Sequence, residues 1–568
     1  MNSLNLEENQ FDAIVVGSGV SGGWAAKELC EKGLKTLVLE RGRMVKHIED
    51  YPTMHLDPWD MEHGGATPNA ILAKDYDKQK RWGVYEGNRH FYNKDSDHDY
   101  IEDKPFDWVR GVQVGGRSLI WGRQTYRWSD LDFEANAKDG YGVDWPIRYK
   151  DIAPWYDHVE KFIGVSGEAL NLPHLPDSHF LPPMELNCVE SHLKETIASR
   201  YKNRLLTIGR VAHITQGTKN GAGRSACQFR NRCDRGCPFG GYFSSNSSTL
   251  PTAAATGNLT LRPDSIVAEI LYDPSTQKAS GVRVIDAKTN ATIEFKSKIV
   301  FLCASAMAST AILMQSKSDR FPNGMGNDSG ELGHNIMDHQ LGSGAYGNHD
   351  GYKDQYFSGR RPNGFYIPRF RNLNGKEKGV DFLRGYGYQG GGSRSNWATA
   401  VAELGYGEAY KDEILKAGGW VIGMGGFGEV LPYHENRMYL NYEKLDKWGL
   451  PTIVFDAEFK ENEIKMKEDW KVQASEMLEA AGCKDIIVFD SNAPIGKGIH
   501  EMGTARMGYD PKTSVLNKFN QIHSVKNVFV TDGACMTSSA NQNPSLTYMA
   551  ITARAANYAV EELKKQNL

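Results

Sequence analysis

A glycine-rich turn near the N-terminus constrains the fold more than any other part of this 568-residue chain. The segment FDAIVVGSGVSGGWAAKEL runs from an apolar strand into a helical pattern, with Gly17, Gly19 and Gly22 at the turn. A second apolar strand, KTLVLERG, ends at Glu40, about twenty residues further on. This order of strand, glycine turn, helix and strand predicts the first βαβ unit of a doubly wound α/β domain.

Each residue of this turn has a physical role in binding a dinucleotide. Gly17 allows the tight turn, Gly19 lets the backbone approach a pyrophosphate, and Gly22 lets helix and strand pack closely. The N-terminus of the following helix favours negative charge, which suits phosphates. Glu40 is expected to hold the adenosine ribose hydroxyls. The pattern predicts a bound dinucleotide without distinguishing FAD from NAD.

Length and charge narrow the remaining possibilities. A chain this long exceeds what one core supports, so we expect two large domains, possibly interleaved in sequence. The formal charge of -4 and the pI near 6.5 give no reason to expect nucleic acid or anionic lipid as a partner. No apolar run reaches the roughly 18 residues of a membrane span. The polar start MNSLNLEENQ is unlike a signal peptide, so we expect no export signal of the chain's own.

Three of the eight cysteines, Cys227, Cys233 and Cys237, lie in the single segment RSACQFRNRCDRGCPFGG. The other five are far apart and are typical of small buried hydrophobic residues. A disulfide scaffold suits short secreted chains and an even number of cysteines, so it is disfavoured here. Three thiolates suit an iron–sulfur cluster, and Pro238 follows Cys237 as in ferredoxin cluster loops. Whether such a cluster would hold three or four irons stays open.

The residues around these cysteines bear on the alternatives. A zinc site would require a fourth Cys or His nearby, and the nearest histidine, His213, lies fourteen residues before the first cysteine. Four arginines interleave with the cysteines: Arg224, Arg230, Arg232 and Arg235. Their positive charge is expected to offset the thiolates. A zinc site or a purely structural loop remains possible from the residues alone.

Further motifs at both ends of the chain resemble the glucose–methanol–choline (GMC) family of FAD oxidoreductases. They are VGGRSLIWGR at 114–123, GHNIMDH, GIHEMGTARMG at 498–508 and the stretch containing NPSLT at 530–556. With the opening fingerprint, the match spans nearly the whole chain in the family's order. The resemblance implies FAD as the cofactor. It also implies a Rossmann-like FAD-binding domain with an interleaved α+β substrate domain built on an antiparallel sheet.

The motifs divide the chain into alternating segments. The predicted FAD-binding domain comprises 1–130, 205–340 and 495–568 and carries the cysteine loop 224–241, and the predicted substrate domain comprises 131–204 and 341–494. We expect a β meander at 258–303 and an amphipathic helix at about 460–481. The glycine-rich segment YGYQGGG at 386–392 predicts a flexible loop or a strand.

The resemblance implies that His500 is the catalytic base and Asn543 its partner. Taken alone, His500 is more typical of a structural hydrogen-bonding group than of a base, and Asn543 is typical of a helix N-cap with Pro544 at the first helical position. Oxidising an alcohol requires a base for the hydroxyl proton, and imidazole titrates in the useful range. Asn543 could orient the same oxygen without competing for its proton. The helix that starts at Pro544 and Ser545 is expected to direct its positive end at the flavin.

The resemblance implies further cofactor contacts and the mode of attachment. It places Gly115, Gly116 and Ser118 along the pyrophosphate and flavin, the backbone of Val267 at the adenine, and Asp532 and Gly533 at the ribityl-phosphate region. Relatives with covalent flavin carry a histidine where this chain has Ile120. We therefore expect noncovalent FAD.

The cysteine loop makes the chain similar to bacterial sugar and polyol dehydrogenases whose flavin subunit carries a three-iron cluster. The expected function is oxidation of a secondary hydroxyl of a sugar or glycoside, and the hydroxyl at C3 of glucosides is the preferred candidate. Electrons are expected to pass through a [3Fe-4S] cluster to a cytochrome c. Glucose 1-, gluconate 2- and fructose 5-dehydrogenase share all of these motifs. Two alternatives from a different functional class stay open: an oxygen-using oxidase, and an electron-transfer subunit without its own substrate.

The same resemblance carries an expectation about place and partner. Cofactors of this kind are acquired in the cytoplasm, whereas sugar dehydrogenases that reduce cytochromes usually work in the periplasm. We therefore expect a small chaperone-like subunit with a twin-arginine signal, bound to an apolar patch and exported with the folded chain. A cytoplasmic location is the alternative.

Overall fold

The computed structural model of the protein describes residues 9–217, 223–356, 364–394, 407–415 and 418–568. Its secondary structure contains both helices and strands, as expected for an α/β chain. Short 3-10 turns occur between several of these elements.

The strands, in chain order, are β1 (Gln10–Val16), β2 (Thr36–Leu39), β3 (Ile101–Glu102), β4 (Thr207–Ile208), β5 (Leu259–Arg262), β6 (Ser265–Asp273), β7 (Lys278–Asp286), β8 (Thr292–Leu302), β9 (Ser343–His349), β10 (Phe365–Ile367), β11 (Tyr386–Arg394), β12 (Trp420–Gly428), β13 (Arg437–Leu445), β14 (Pro451–Asp456), β15 (Lys484–Asp490), β16 (Gln521–Ile522) and β17 (Val525–Val530). The helices are α1 (Val20–Glu31), α2 (Asn69–Asp75), α3 (Asp130–Phe133), α4 (Ala135–Asp139), α5 (Tyr149–Ile163), α6 (Cys188–Arg200), α7 (Thr249–Ala255), α8 (Ala306–Gln315), α9 (Glu408–Leu415), α10 (Glu461–Ala480) and α11 (Ser545–Lys564).

An eight-stranded sheet carries the dinucleotide fingerprint. Its main path runs β16-β17-β8-β1-β2-β5, and β6, β7 and β8 form an antiparallel meander at its side. β1 pairs in parallel with both β2 and β8, and its residues from Ala13 to Val16 are buried. Buried parallel strands need apolar residues on both faces, which explains the run AIVV. The helices α7 and α11 pack against α1 on this sheet.

A six-stranded sheet, in the order β15-β9-β12-β11-β10-β4, forms the second layer. Its pairs are antiparallel, and the long helix α10 packs against β9 and β12. Trp470 of α10 is fully buried there. A Cβ at Gly426 or Gly428 of β12 would lie 2.5 Å from its indole ring, so alternate glycines of the strand make room for it. The predicted helix at about 460–481 is α10, and YGYQGGG begins strand β11.

The two predicted domains share strands. β4 lies in the segment assigned to the FAD-binding domain, yet it pairs with β10 at the edge of the six-stranded sheet. β3, from the same assignment, pairs in parallel with β14, and the three-stranded sheet β13-β14-β3 therefore joins both predicted domains. Motif positions could not reveal these pairings, because a two-residue edge strand has no sequence signal.

Within the described ranges, no helix combines the length and the apolar character that a membrane span requires.

The Trp470 packing leads to a stability prediction. Trp470→Ala should lower the free energy of unfolding by about 3 to 5 kcal/mol, because it leaves a cavity between α10 and the glycines of β12. Val472→Ala on the same helix is the control, since Val472 is 54% exposed. Thermal unfolding of both purified variants is the measurement. Equal melting temperatures would show that the indole ring does not support the sheet.

Candidate active site

One cavity brings together residues from nearly all of the predicted motifs. It encloses about 1980 Å³ between protein atoms, including open solvent at its mouth. The predicted residues that line it are Gly17, Gly19, Glu40, Gly116, Ser118, Val267, His500, Asp532, Gly533, Asn543 and Ser545. Gly22, Gly115 and Pro544 are not part of its lining, and neither are the three clustered cysteines.

The fingerprint glycines have three different environments. Gly17 has a φ of +96°, and a Cβ there would lie 2.4 Å from the carbonyl oxygen of Cys303. A Cβ at Gly22 would lie 1.9 Å from the carbonyl oxygen of Gly17, so α1 packs directly on the turn. A Cβ at Gly19 would meet nothing within 4 Å. Gly19 therefore faces open space, where a ligand can approach the backbone.

Glu40 lies at the end of β2 with a fixed carboxylate. One of its oxygens accepts from the backbone nitrogen of Ser18 at 3.2 Å and from its hydroxyl at 2.5 Å, and the other accepts from the backbone nitrogen of Gly42 at 3.0 Å. Burial raises the pKa of Glu40 despite these hydrogen bonds. A ribose hydroxyl would meet an acceptor whose orientation is already set.

The GGRS loop lies beside the glycine fingerprint. A Cβ at Gly116 would lie 3.4 Å from the Cα of Gly19, so the two backbones run side by side. Gly115 instead packs against Asn246, since a Cβ at Gly115 would lie 1.7 Å from the Asn246 side-chain oxygen. The Ser118 hydroxyl donates to the Gly115 carbonyl at 2.6 Å. The loop therefore offers backbone at Gly116, whereas Gly115 and the Ser118 hydroxyl hold its shape.

These observations fit FAD. The open backbone at Gly19 and Gly116 suits a pyrophosphate, and Glu40 suits a ribose. The Nε atoms of Arg41 and Arg110, both in the cavity wall, are buried and have no hydrogen-bond partner among the described residues. Such atoms are available to polar groups of a ligand.

Asp338 fixes the backbone that carries His500. Its carboxylate accepts from the backbone nitrogens of Gly496 and Gly498, both at 2.8 Å, and of His500 at 2.9 Å. Burial is the main cause that raises the pKa of Asp338 to about 7, and the nearby Glu501 carboxylate adds to it. The three amides give this buried group its hydrogen bonds and hold the turn in one conformation.

His500 contacts a second histidine, His339, which the sequence motifs did not single out. The Nδ1 atoms of the two rings lie 3.0 Å apart, and the ring planes are nearly perpendicular at 79°. Burial, then His339 and Arg117, lower the pKa of His500 well below its ordinary value. Burial also lowers the pKa of His339 to about 4. Both rings are therefore neutral near pH 7, and His500 can accept a proton at Nε2 when its Nδ1 donates to His339.

Asn543 has a different local role from the one predicted. α11 begins at Ser545, Pro544 is its N-cap residue, and no side chain caps the helix. The Asn543 side-chain oxygen instead accepts from Nε2 of Gln389 at 2.6 Å. The N-cap interpretation of Asn543 and the placing of Pro544 at the first helical position were therefore wrong. A long-range partner, Gln389 of β11, satisfies the amide in place of the helix N-terminus.

An ion pair lies beside the histidines. Arg117, from the GGRS loop, donates through Nη1 at 3.1 Å and Nη2 at 2.7 Å to the two carboxylate oxygens of Glu501. Both residues line the cavity. His339, Gln389, Arg117 and Glu501 were all missed as site residues. The quoted motifs GHNIMDH, GGRS and GIHEMG contain three of them, but only spatial proximity singles them out.

The three clustered cysteines lie on one loop, and none of them takes part in a disulfide. Cys233 is buried, whereas Cys227 and Cys237 are partly buried. The Cys233 sulfur lies 3.7 Å from Nε2 of His213, so the histidine that is distant in sequence is a neighbour in space. The sequence distance alone was therefore a poor guide to the surroundings of this loop.

A single metal ion does not match the arrangement of this loop. Within the described residues, the one group of three candidate ligand atoms lying within 4.8 Å of one another is Glu62, His63 and Glu86. A single tetrahedral ion with bonds near 2.3 Å would hold its thiolates roughly 3.8 Å apart. The loop is therefore not arranged around one zinc ion.

The arginines of this loop hydrogen-bond to backbone carbonyls of other segments. Arg230 donates to the carbonyl of Met54 at 2.5 Å, and Arg232 and Arg235 donate to the carbonyl of Leu56 at 3.3 and 2.9 Å. These three side chains fasten the loop to its neighbouring segment, and the expectation that their charge offsets the thiolates stays a prediction. The remaining one, Arg224, is buried and donates to two other backbone carbonyls.

Comparison with protein families matches most of the chain to two models described as GMC oxidoreductase. The N-terminal model covers residues 11–341 and the C-terminal model covers residues 432–552. Among solved structures, pyridoxine 4-oxidase from Mesorbium loti superposes with a TM-score of 0.61 at 16% identity, covering 96% of this chain and 98% of that one. The predicted fold class is confirmed.

Three curated relatives match along nearly their whole length. 2-Methyl-1,2-propanediol dehydrogenase of Mycolicibacterium austroafricanum is 28% identical over 98% of this chain and 96% of its own. Paromamine 6'-oxidase of Streptomyces fradiae is 26% identical over 98% and 92%. Fructose dehydrogenase large subunit of Gluconobacter japonicus is 23% identical over 99% and 100%.

The different surroundings of Gly19 and Gly22 predict different effects of an added methyl group. Gly19→Ala should fold normally, because its φ of −69° suits any residue, yet it should bind FAD more weakly because the Cβ occupies the open space. Gly22→Ala should destabilise the apoprotein by about 1 to 3 kcal/mol through overpacking. FAD content and thermal unfolding of the two apoproteins are the measurements. Full FAD retention by Gly19→Ala would place the pyrophosphate elsewhere.

The lowered pKa of His500 predicts the pH dependence of flavin reduction. Because the ring must be neutral to accept a proton, the second-order rate should stay level as the pH falls through 6.5 and decline only well below it. His339→Gln should move this decline to higher pH, since His339 helps to keep the pKa of His500 low. Anaerobic stopped-flow from about pH 5 to about pH 8 is the measurement. A decline of the flavin-reduction rate centred near pH 6.5 in the unmodified enzyme would contradict His500, with its lowered pKa, as the group that accepts the proton.

Proposed function

The chain belongs to the GMC oxidoreductase family, and from that membership we propose that it is an FAD-dependent dehydrogenase of a secondary hydroxyl group in a sugar or glycoside. The family binds FAD, and its members oxidise CH–OH groups. The observation that carries the proposal is the placing of a neutral imidazole, His500, and an amide, Asn543, in the cavity that also contains the dinucleotide fingerprint.

The residues of the cavity divide the work of alcohol oxidation. FAD, when bound, accepts a hydride from the alcohol carbon. His500 takes the hydroxyl proton at Nε2 while His339 holds its other nitrogen. Asn543 donates from its Nδ2 to the same hydroxyl oxygen, because its Oδ1 is occupied by Gln389. The first turn of α11 presents free backbone amides near Ser545, which favour negative charge in the cavity.

A neutral polyhydroxylated substrate suits the charges around the histidines. Arg117 is paired with Glu501, and Arg123 donates to the Cys233 carbonyl at 2.7 Å, so neither cation is available to bind a carboxylate. Two of the relatives are named for a sugar or an aminoglycoside. The charges disfavour gluconate, and among the neutral sugars we place glucosides first, with C3 as the oxidised position, because the motifs resemble the glucoside 3-dehydrogenase branch; glucose and fructose follow.

A substrate panel tests this choice. Methyl β-D-glucopyranoside should bleach the flavin anaerobically faster than glucose, fructose or gluconate, and NMR of its product should show a carbonyl at C3. Asn543→Ala should slow the bleaching and His500→Ala should slow it more, by about two to four orders of magnitude, while both retain FAD. An unchanged rate in the His500 variant would remove the proposed base. Fast bleaching by gluconate would contradict the argument from charge.

We further propose that Cys227, Cys233 and Cys237 hold an iron–sulfur cluster, of the [3Fe-4S] type. Three cysteines outside any disulfide on one fastened loop are a donor set for such a cluster, and several metal atoms hold their thiolates farther apart than one ion does. A bound cluster would carry electrons one at a time.

Iron chemistry tests the cysteine loop directly. Purified protein should contain iron and sulfide in near-equal numbers with a low-temperature EPR signal, and Cys233→Ser should lose them while substrate still bleaches the flavin once. Cys483→Ser, at a buried cysteine of another region, is the control and should keep the iron. Zinc without iron, or full iron in Cys233→Ser, would contradict the proposal.

We propose a cytochrome c as the electron acceptor and, as a separate partner, a small signal-bearing subunit with which the chain is exported to the periplasm. The name of the fructose dehydrogenase large subunit, which matches over the whole chain, supports an assembly of more than one subunit. Co-expression with neighbouring genes followed by purification and cell fractionation tests this. Activity that stays in the cytoplasm with the chain purified alone would overturn it.

An oxygen-using oxidase is the second candidate, because paromamine 6'-oxidase matches nearly the whole chain. Reoxidation of the bleached flavin distinguishes the two. A dehydrogenase should reoxidise slowly in air and rapidly with a cytochrome or ferricyanide. Rapid oxygen consumption with peroxide release would favour the oxidase.

A further inference from the structure

Four side chains from distant parts of the sequence form a continuous chain of hydrogen bonds that ends at Asn543. The Tyr126 hydroxyl donates to Oε1 of Gln124 at 2.5 Å. Nε2 of Gln124 donates to Oε1 of Gln389 at 3.1 Å, and Nε2 of Gln389 donates to Oδ1 of Asn543 at 2.6 Å. Gln124 and Asn543 both line the cavity. We call this set the amide relay.

The relay has a direction because each amide has one donor end and one acceptor end. Once Tyr126 donates to Gln124, every later bond must point the same way. The Arg210 backbone amide also donates to the Tyr126 oxygen, so the Tyr126 proton is left for Gln124. Burial and the neighbouring Tyr366 raise the pKa of Tyr126 well above its ordinary value, and the phenol therefore keeps that proton.

Two members of the relay, Tyr126 and Gln389, are held in place by their surroundings. The Tyr126 ring is fully buried and stacks on Tyr366, with centroids 4.1 Å apart and planes at 20°. Tyr366 of β10 is the backbone partner of Gln389, and Gly425 of β12 pairs with Gln389 on its other side. Gln389 therefore lies on an interior strand of the six-stranded sheet, where its backbone cannot move independently.

We propose that the amide relay fixes Asn543 with its Nδ2, and not its Oδ1, toward the reacting hydroxyl, which makes Tyr126, Gln124 and Gln389 positioning residues for the oxidation. This inference rests on the proposed function. As His500 removes the hydroxyl proton, negative charge develops on the substrate oxygen, and an N–H donor stabilises it. A reversed amide would place a lone pair against the same oxygen and oppose the reaction.

Gln389→Glu tests the direction of the relay. The ionised carboxylate that this substitution introduces has no hydrogen to donate, so Asn543 would turn its Nδ2 toward it and leave Oδ1 facing the substrate. The limiting rate of flavin reduction should fall by about 100-fold, at the lower end of the range known for losing one donor to a developing oxyanion. The apparent dissociation constant of the substrate should change much less. The substrate is methyl β-D-glucopyranoside or, failing that, the fastest member of the panel.

Acid pH should restore this variant. Once protonated, the introduced carboxyl group can accept from Gln124 and donate to Asn543, which recreates the original direction. Buried carboxyls titrate above their ordinary range, so the recovery should be reachable in mildly acidic buffer. The Gln389→Glu rate should therefore rise as the pH falls, relative to the unmodified enzyme. A deficit that is independent of pH would overturn the proposal.

A matched control comes from the same strand. Tyr388→Phe removes the hydroxyl that donates to the Trp470 carbonyl at 2.7 Å, one residue from Gln389 but outside the relay. It should retain the normal rate of flavin reduction. Melting temperature and FAD content of each variant show that it is folded. A Tyr388→Phe rate as low as that of Gln389→Glu would mean that any damage to β11 slows the reaction, and would overturn the proposal.

A double-mutant cycle separates the relay from the proposed function. In an Asn543→Ala background, Gln389→Glu should cause no further loss beyond about twofold, because the residue it positions is gone. Independent, multiplying losses would overturn the relay and leave Asn543 in its role. If Asn543→Ala alone left flavin reduction unchanged, the proposed role of Asn543 would fail, and the relay with it.

Discussion

Three backbone amides that converge on the Asp338 carboxylate set the geometry on which the active site depends. The amides belong to the turn from Gly496 to His500, and the next residue after Asp338 is His339, which contacts the His500 ring. One short segment therefore contacts both the backbone and the side chain of His500, the proposed base. A buried carboxyl with these three donors has no competing partner from water, so the turn keeps one arrangement.

Asn543, the second member of the proposed catalytic pair, is held from another direction. Asn543 precedes α11 of the first layer, whereas the side chain that contacts its oxygen, Gln389, extends from the six-stranded sheet. The site thus combines His500, held by a neighbouring loop, with Asn543, held by the six-stranded sheet. Each orientation depends on a contact that is distant in the sequence, and neither is set by its own helix or loop.

Local patterns predicted the features that arise from local causes. The fingerprint glycines, the meander and α10 follow from steric and hydrophobic periodicity within short windows, and the resemblance to known motifs pointed to His500 and Asn543. The contacts of His339 with His500 and of Gln389 with Asn543 join residues that are 161 and 154 positions apart. No local sequence pattern can predict contacts at such separations. The fastening of the cysteine loop by Arg232 and Arg235 could not be predicted for the same reason, because their acceptor, the Leu56 carbonyl, lies far away in the sequence.

The pairing of β3 and β4 with strands of the other predicted domain has a consequence for how such a chain can evolve. β3 and β4 contribute edge pairings to sheets whose other strands come from residues 343–490. If residues 341–494 were separated from the rest of the chain, the six-stranded sheet would lose β4 and the three-stranded sheet would lose β3, which would leave β10 and β14 as new unpaired edges. Recombination that exchanges this segment between relatives must therefore also preserve the pairings with β3 and β4.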